Sequence, residues 1–182
     1  MMPEISLNIL DVAQNSVTAD STLTVIKVAA DTAKDRLLTS VTDNGRGMTE
    51  EQVKRVIDPF YTTRTTRKVG LGVPFFKMAA EITGGEFSIK SKPGEGTCTT
   101  AIFCLSSIDR MPLGDIASTM VSLIGVRPDL DFVLDYSVDG NGFIMDTREF
   151  KEVLGGISLG EPEVQKYIMD FINEGVNSCG IV

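Results

Sequence analysis

The spacing of hydrophobic positions divides the first 108 residues into alternating helices and strands. Helical periodicity or a helix-capping signal marks three segments, and β-branched or alternating runs mark four. The predicted helices cover residues 4–18, a short segment after the N-cap residue Thr49, and about 70–83. The predicted strands cover residues 22–30, 36–43, 86–91 and 97–105. This order is typical of a mixed sheet with its helices stacked on one face, a two-layer α/β sandwich.

The first predicted helix carries a polar stripe beside its apolar one. Asn8, Asp11 and Asn15 fall at i, i+3 and i+7, so they share a face that differs from the face of Leu7 and Leu10. A solvated helix surface explains such a stripe as well as a binding site does. The stripe becomes informative only together with the motifs that follow it.

The pattern changes after residue 108. Residues 106–114 contain Pro112 and Gly114 and predict a boundary. We therefore expect one domain at 1–108 and a small α+β extension at 109–182. The extension is predicted to contain a helix (113–125), a hairpin (131–138 and 142–147) and two helices in the segments TREFKEVLG and EPEVQKYIMDFINEG.

Charge separates the same two parts of the chain. Residues 1–108 contain 12 basic and 12 acidic side chains, whereas residues 109–182 contain 5 and 13, so the net charge of −8 belongs to the extension. An acidic chain is a poor candidate for sequence-independent binding of nucleic acid. The extension is expected either to pack on the first domain as a structural element, or to form a docking surface for a basic partner or a homodimer contact.

The sequence contains no histidine, which excludes His-based zinc sites, Ser-His-Asp triads and Cys-His dyads. Its three cysteines have no metal-ligand spacing and are typical of reduced thiols. The N-terminus shows no signal peptide, and no apolar run reaches the roughly 20 residues of a membrane span. These features predict a cytoplasmic protein that binds neither membranes nor nucleic acid.

Five short motifs occur in a fixed order along the first domain. They are NILDVAQNSVTAD, DNGRGM, DPFYTTR, VGLGV and GEGT. Each is weak alone, because a tight turn or a loop before a helix explains it. Together, over about residues 5–105, they resemble the ATP-binding domain of the GHKL superfamily, which includes the gyrase, Hsp90, histidine-kinase and MutL ATPases. The resemblance implies ATP as ligand and Mg²⁺ as its companion ion.

The chemistry of the motif residues fits that resemblance. A carboxylate accepts hydrogen bonds but cannot donate them, so Asp43 can take the adenine amine and reject a keto group. Gly45 and Gly47 leave room for the base, and Met48 follows them in the same motif. The resemblance makes Asn15 the ligand of Mg²⁺ and Thr97 an adenine-side residue. It assigns the phosphates to Gly70, Leu71 and Gly72 at a helix start and to the lid residues Thr62, Thr63, Arg64, Arg67 and Lys68.

Asp11 occupies the position where gyrase-like members carry a glutamate that activates the attacking water. It is one methylene shorter than glutamate, and two roles stay open at this point. Asp11 can act as a general base through water or assist Mg²⁺ binding, or it can orient Asn15.

The sequence favours some outcomes of ATP binding over others. Because no acceptor histidine is present, and the first motif begins within ten residues of the start, we expect no self-phosphorylating sensor kinase. The extension does not resemble the transducer domain of gyrase or MutL. Three functions remain. The first is a kinase that phosphorylates a partner protein, as the anti-sigma-factor kinases do, and the second is an ATPase that drives a conformational cycle. The third is a non-catalytic nucleotide-sensing subunit of a larger complex, such as a redox complex.

The segment SVDGNGFIMDTREF partly matches a calcium-binding EF-hand loop. Aligning its glycine leaves Ser137 at the first ligand position and Arg148 at the last, so both ends are wrong for calcium. Alternating apolar residues over 131–138 favour a β-hairpin instead.

Overall fold

A computed structural model describes residues 2–58 and 72–180 and contains one mixed sheet of six strands. The strands are β1 Leu23–Asp31, β2 Arg36–Asp43, β3 Glu86–Lys92, β4 Gly96–Cys104, β5 Asp131–Val138 and β6 Asn141–Asp146. The helices are α1 Ile5–Thr18, α2 Glu50–Ile57, α3 Gly72–Glu81, α4 Ile116–Val126, α5 Thr147–Leu154 and α6 Pro162–Cys179. The two-layer α/β architecture is confirmed, and these bounds lie within four residues of the predicted ones.

Local sequence signals account for several of the element boundaries. Thr49 caps α2 through a reciprocal pair of hydrogen bonds with Gln52, a capping box. Asp115 caps α4 by accepting a hydrogen bond from the Ser118 amide. Pro162 is the first residue of α6, where its fixed φ suits a helix start.

The extension continues the sheet of the first domain. The strand order is β3-β4-β2-β1-β5-β6, and β1 pairs in parallel with β5 from Leu23 opposite Asp131 to Ala30 opposite Val138. All other neighbouring strands are antiparallel. The two central strands, β1 and β2, therefore come from residues 23–43, and the four outer strands come from later parts of the chain.

The hairpin predicted in place of an EF-hand is present as β5 and β6. Its two turn residues, Asp139 and Gly140, have φ values of 49° and 87°. Two positive φ values are typical of the two-residue turns that match the twist of a hairpin. The Asp139 carboxylate accepts hydrogen bonds from the amide and hydroxyl of Thr32, both at 2.7 Å. Both oxygens of this carboxylate are therefore hydrogen-bonded to the neighbouring β1–β2 turn.

A single apolar core lies between the sheet and the helices and joins both halves of the chain. Ile5 and Ile9 of α1, Met120 of α4, and Ile168 and Ile172 of α6 all have 0% exposure and belong to the same cluster. Alternate residues of β1 are buried beneath the helices, as the period of a half-buried strand requires.

Helix α6 packs on the outermost strand, β6, at Gly175. A Cβ atom at Gly175 would lie 2.7 Å from three ring atoms of Phe143, so only a bare Cα allows α6 to rest on this ring. The ring of Phe143 also meets Tyr136 and Phe171 at centroid distances of 5.8 and 6.3 Å. Among residues 2–58 and 72–180, no helix is long and apolar enough to cross a membrane.

Candidate functional site

A cavity of about 190 Å³ lies between α1 and the sheet, at the end of the sheet where β2 stops. Its wall is apolar on several sides, and a few polar groups converge on it, which is the usual composition of a small-molecule site. The apolar part consists of Val12, Val41, Met48, Val56, Val73 and Ile89. The other lining residues are Asn15, Ser16, Thr18, Ala19, Asp43, Arg46, Gly47, Thr97 and Thr99.

The Asp43 carboxylate is held in place from two directions. Ser16 on α1 donates its hydroxyl to Oδ2 at 2.8 Å, and the amide of Gly45 donates to Oδ1 at 2.9 Å. A carboxylate has about four acceptor positions, so these two hydrogen bonds leave acceptor capacity for a ligand. Asp43 is the last residue of β2, which places it at the mouth of the sheet.

The turn after Asp43 is fixed by side-chain hydrogen bonds to the backbone. The Asn44 amide oxygen accepts from the amides of Thr22 and Leu23 at 2.9 and 3.0 Å, and its nitrogen donates to the Thr22 hydroxyl. Gly47 has a φ of 66°, and a Cβ there would lie 2.0 Å from the carbonyl oxygen of Lys92. Only glycine fits this close approach between two backbone segments.

Ser91 connects the turn to the start of β4. Its hydroxyl accepts from the Met48 amide at 2.8 Å, donates to the Gly96 carbonyl and lies 2.8 Å from the Thr97 hydroxyl. This network positions Met48 and Thr97, two of the predicted site residues, on the same side of the cavity.

The predicted residue Gly45 lies next to the cavity and packs against Ala19 at the end of α1. A Cβ atom at Gly45 would lie 2.6 Å from the carbonyl oxygen of Ala19, and the neighbouring Arg46 amide donates to the same oxygen at 2.9 Å. The glycine therefore lets the turn pack against the end of α1.

Asp11 and Gly72 form a separate contact where α1 meets the start of α3. A Cβ atom at Gly72 would lie 2.6 Å from the Asp11 Cβ and 3.2 Å from its Oδ2. The next residue, Val73, lines the cavity, whereas Asp11 does not. Desolvation by burial raises the pKa of Asp11 above its usual range.

The structure thus brings together five predicted site residues, Asn15, Asp43, Gly47, Met48 and Thr97, around one cavity. Gly45, Asp11 and Gly72 lie beside it. The remaining predicted residues, Thr62, Thr63, Arg64, Arg67, Lys68, Gly70 and Leu71, lie outside the described ranges. Within those ranges no group of three or more acidic or cysteine side chains forms a metal site.

The sequence analysis did not predict Ser16 or the apolar lining residues other than Met48. Strand periodicity carried part of the missing signal, because Val41 and Thr99 lie two residues from Asp43 and Thr97 and share their faces. No local pattern indicated Ser16, whose partner is 27 residues away in the chain.

Three kinds of comparison relate this chain to known proteins. Residues 3–107 match the family described as histidine kinase-, DNA gyrase B-, and HSP90-like ATPase. Sensor histidine kinase YkoH of Bacillus subtilis is 39% identical over 83 residues, which are 43% of this chain and 18% of that protein. Sensor protein kinase FleS of Pseudomonas aeruginosa is 37% identical over 108 residues, which are 59% of this chain and 26% of that protein.

The same fold occurs in the Aquifex aeolicus MutL ATPase domain complexed with ADP. That structure has a TM-score of 0.54 and 13% identity, and the similarity covers 85% of this chain and 70% of that one. The chain spans only about a quarter or less of the two sensor kinases. Because the family model covers more than half of the chain, this protein belongs to the family of histidine kinase-, DNA gyrase B- and HSP90-like ATPases.

Proposed function

We propose that the protein binds Mg-ATP in the cavity at the end of β2, and hydrolyses it or transfers its γ-phosphoryl group to a partner protein. The observation that carries this proposal is the Asp43 carboxylate, fixed by Ser16 and Gly45 at the mouth of an otherwise largely apolar cavity. Family membership supports the choice of ATP among purine nucleotides.

The cavity suits an adenine ring for two reasons. Val12, Val41 and Ile89 offer apolar surface to the faces of a flat base. The free acceptor positions of Asp43 match the amine of adenine, whereas guanine would place a keto oxygen against a carboxylate. A repulsive contact of this kind gives specificity as well as affinity.

The phosphates and the metal ion fit the other side of the cavity. The Asn15 amide would supply Mg²⁺ with a neutral oxygen ligand, and the start of α3 at Gly72 would bring amide groups toward phosphate oxygens. Bound Mg²⁺ would neutralise charge on the phosphates. The lid residues named from the resemblance would complete this side.

Asp11 can take part in the reaction in one of two ways. It lies one helical turn before Asn15, so it can orient that side chain, and its raised pKa suits a general base acting through water. The two roles predict different kinetics. A base role requires that Asp11→Asn lowers the turnover number at unchanged Mg-ATP affinity, whereas an orienting role requires weaker Mg²⁺-dependent binding.

The alternative function is a nucleotide-sensing subunit without catalysis. The position of Asp11 favours it, because this carboxylate contacts the start of α3 and does not line the cavity. In this alternative the Asp11–Gly72 contact would report the bound nucleotide to α3.

Calorimetric titration with Mg-ATP and Mg-GTP tests the binding proposal. We expect Asp43→Asn to weaken ATP binding at least tenfold and to reduce the preference for ATP over GTP, since an amide can donate to the guanine keto group. Glu152→Gln on α5 removes one exposed carboxylate outside the cavity and should change neither value. Equal affinity of wild type and Asp43→Asn for ATP would overturn the proposal.

Incubation with γ-labelled ATP then separates the outcomes. Label released as phosphate identifies hydrolysis, and label incorporated into a copurifying protein identifies transfer. Tight binding with neither product, in the presence of the copurifying protein, supports the sensing alternative.

A further inference from the structure

An open groove of about 970 Å³ lies between the end of α5 and the first turns of α6, away from the cavity at β2. Its floor and walls are mainly apolar. The apolar lining consists of Leu154, Ile157, Pro162, Val164 and Tyr167. Ile157 is 56% exposed and Tyr167 is 64% exposed, so this apolar surface faces solvent among the residues that the structure describes.

Tyr167, the aromatic side chain that lines the groove, belongs to a small cluster of rings with Phe150 and Phe171. The Phe150 ring meets Tyr167 at 6.0 Å and Phe171 at 5.5 Å, both edge to face. A ring held by its neighbours already occupies one rotamer before a partner binds. Its exposed face can therefore be covered without a further loss of rotamer entropy. Val153, 87% exposed on α5, adds a further apolar side chain to this end of the molecule.

The border of the groove is negatively charged. Glu161 and Glu163 line it, and no lysine or arginine of residues 2–58 and 72–180 does. Along α6, Glu163, Asp170 and Glu174 follow at spacings of seven and four residues, so they share one side of the helix with Tyr167. None of these four carboxylates forms an ion pair with a lysine or arginine in the described part of the chain.

This combination restricts what can cover the groove. A second copy of the chain meeting the same face would bring carboxylates against carboxylates, and like charges across an interface cost several kcal/mol. A groove between two helices accepts an amphipathic helix, whose apolar residues fill it at helical spacing. Positive side chains on the flanks of that helix would meet the free carboxylates.

We propose that the groove between α5 and α6 is the docking site for a basic amphipathic helix of a partner protein. The apolar face of that helix packs on Ile157 and Tyr167, and its lysine or arginine side chains pair with Glu161 and Glu163. The net charge of −8, confined to residues 109–182, attracts such a partner over a distance of about the Debye length.

The test uses the full chain and three synthetic 18-residue peptides in fluorescence anisotropy titrations. The first carries leucines at i, i+3, i+4 and i+7 with lysine and arginine elsewhere. The second has the same composition in scrambled order, and the third replaces every basic residue with glutamate. We expect the first peptide to bind at least tenfold more tightly than either other peptide.

Variants then locate the binding. Tyr167→Ser and the pair Glu161→Lys with Glu163→Lys should each weaken the first peptide at least tenfold. The matched control is Asp109→Lys with Glu149→Lys, which makes the same charge change at two exposed carboxylates that do not line the groove. Both groove variants alter exposed side chains, and unchanged Mg-ATP binding and thermal melting verify their folding.

Four results would overturn the proposal. They are no binding of the basic peptide, equal binding of the scrambled one, equal weakening by the control pair, and a homodimer in sedimentation that Tyr167→Ser dissociates.

Discussion

Ser16 on the last turn of α1 donates its hydroxyl to Oδ2 of Asp43 at the end of β2, over 2.8 Å. This hydrogen bond joins the helix that carries Asn15 to the strand end that carries the proposed adenine acceptor. This contact therefore couples the two sides of the cavity, and its removal should affect stability and binding together.

Ser16→Ala should lower the free energy of unfolding by about 1–3 kcal/mol, because the buried hydroxyl donates to a charged group. ATP affinity should fall several-fold, because Asp43 keeps only its hydrogen bond with the Gly45 amide. Urea unfolding and calorimetry measure the two effects. Ser122→Ala is the matched control, since that hydroxyl donates within α4 and is exposed. Full ATP affinity in Ser16→Ala would contradict the role given to this contact.

Two glycine-to-alanine changes in helices should have opposite effects. At Gly72 the new Cβ would lie 2.6 Å from the Asp11 Cβ, close to the backbone of α1. At Gly125 it would lie 2.6 Å from the tip of the flexible Gln165 side chain. We expect Gly72→Ala to destabilise by about 1–3 kcal/mol and Gly125→Ala to stabilise by about 0.5–1 kcal/mol through helix propensity. A Gly72→Ala variant that is no less stable than wild type would contradict the first expectation, and a destabilised Gly125→Ala variant would contradict the second.

Asp11→Asn should stabilise the protein at neutral pH. Burial raises the pKa of Asp11, so the folded protein holds this proton more tightly than the unfolded chain does. The charged carboxylate opposes folding above the unfolded-state pKa of about 3.9, and the opposition grows as pH rises toward the folded-state pKa. Urea unfolding at pH 7 should therefore favour the variant, and the difference should disappear below about pH 4. A wild type more stable than the variant at pH 7 would contradict this assignment.

We expect that the hairpin turn does not bind calcium and that its stability depends on Asp139. Its carboxylate already accepts two hydrogen bonds from Thr32, and its φ is 49°. Asp139→Ala should destabilise by about 1–2 kcal/mol, because alanine tolerates the left-handed region poorly. Asp139→Asn should cost less, since asparagine adopts that region more readily. Millimolar CaCl₂ should leave the melting temperature at its value in MgCl₂, and a specific rise with calcium would refute the hairpin interpretation.

Deletion of residues 109–182 should prevent folding rather than release a stable ATP-binding domain. The deletion removes β5, which pairs along eight residues of β1, and takes Met120 and Ile168 out of the common core. We expect an aggregated product without a cooperative unfolding transition. A soluble fragment of residues 1–108 that binds ATP with unchanged affinity would show that the extension is independent.

Local sequence patterns were sufficient to predict the order of the elements, the family and the hairpin. These features depend on signals that lie within a few residues of each other, such as the capping box at Thr49 and the alternation of apolar residues over 131–138. The glycine and carboxylate residues of the DNGRGM motif could be predicted for the same reason, because Asp43 and Gly47 lie within five consecutive residues.

The contacts between distant segments could not be predicted from local patterns and are seen only in the folded chain. The parallel pairing of β1 with β5 joins residues about 108 positions apart, as in Leu23 with Asp131, and leaves no local pattern. The same holds for Ser16 with Asp43 and for Gly175 with Phe143. Strand order and helix docking follow from which apolar faces can be buried together, and that choice is made by the whole core rather than by any single segment.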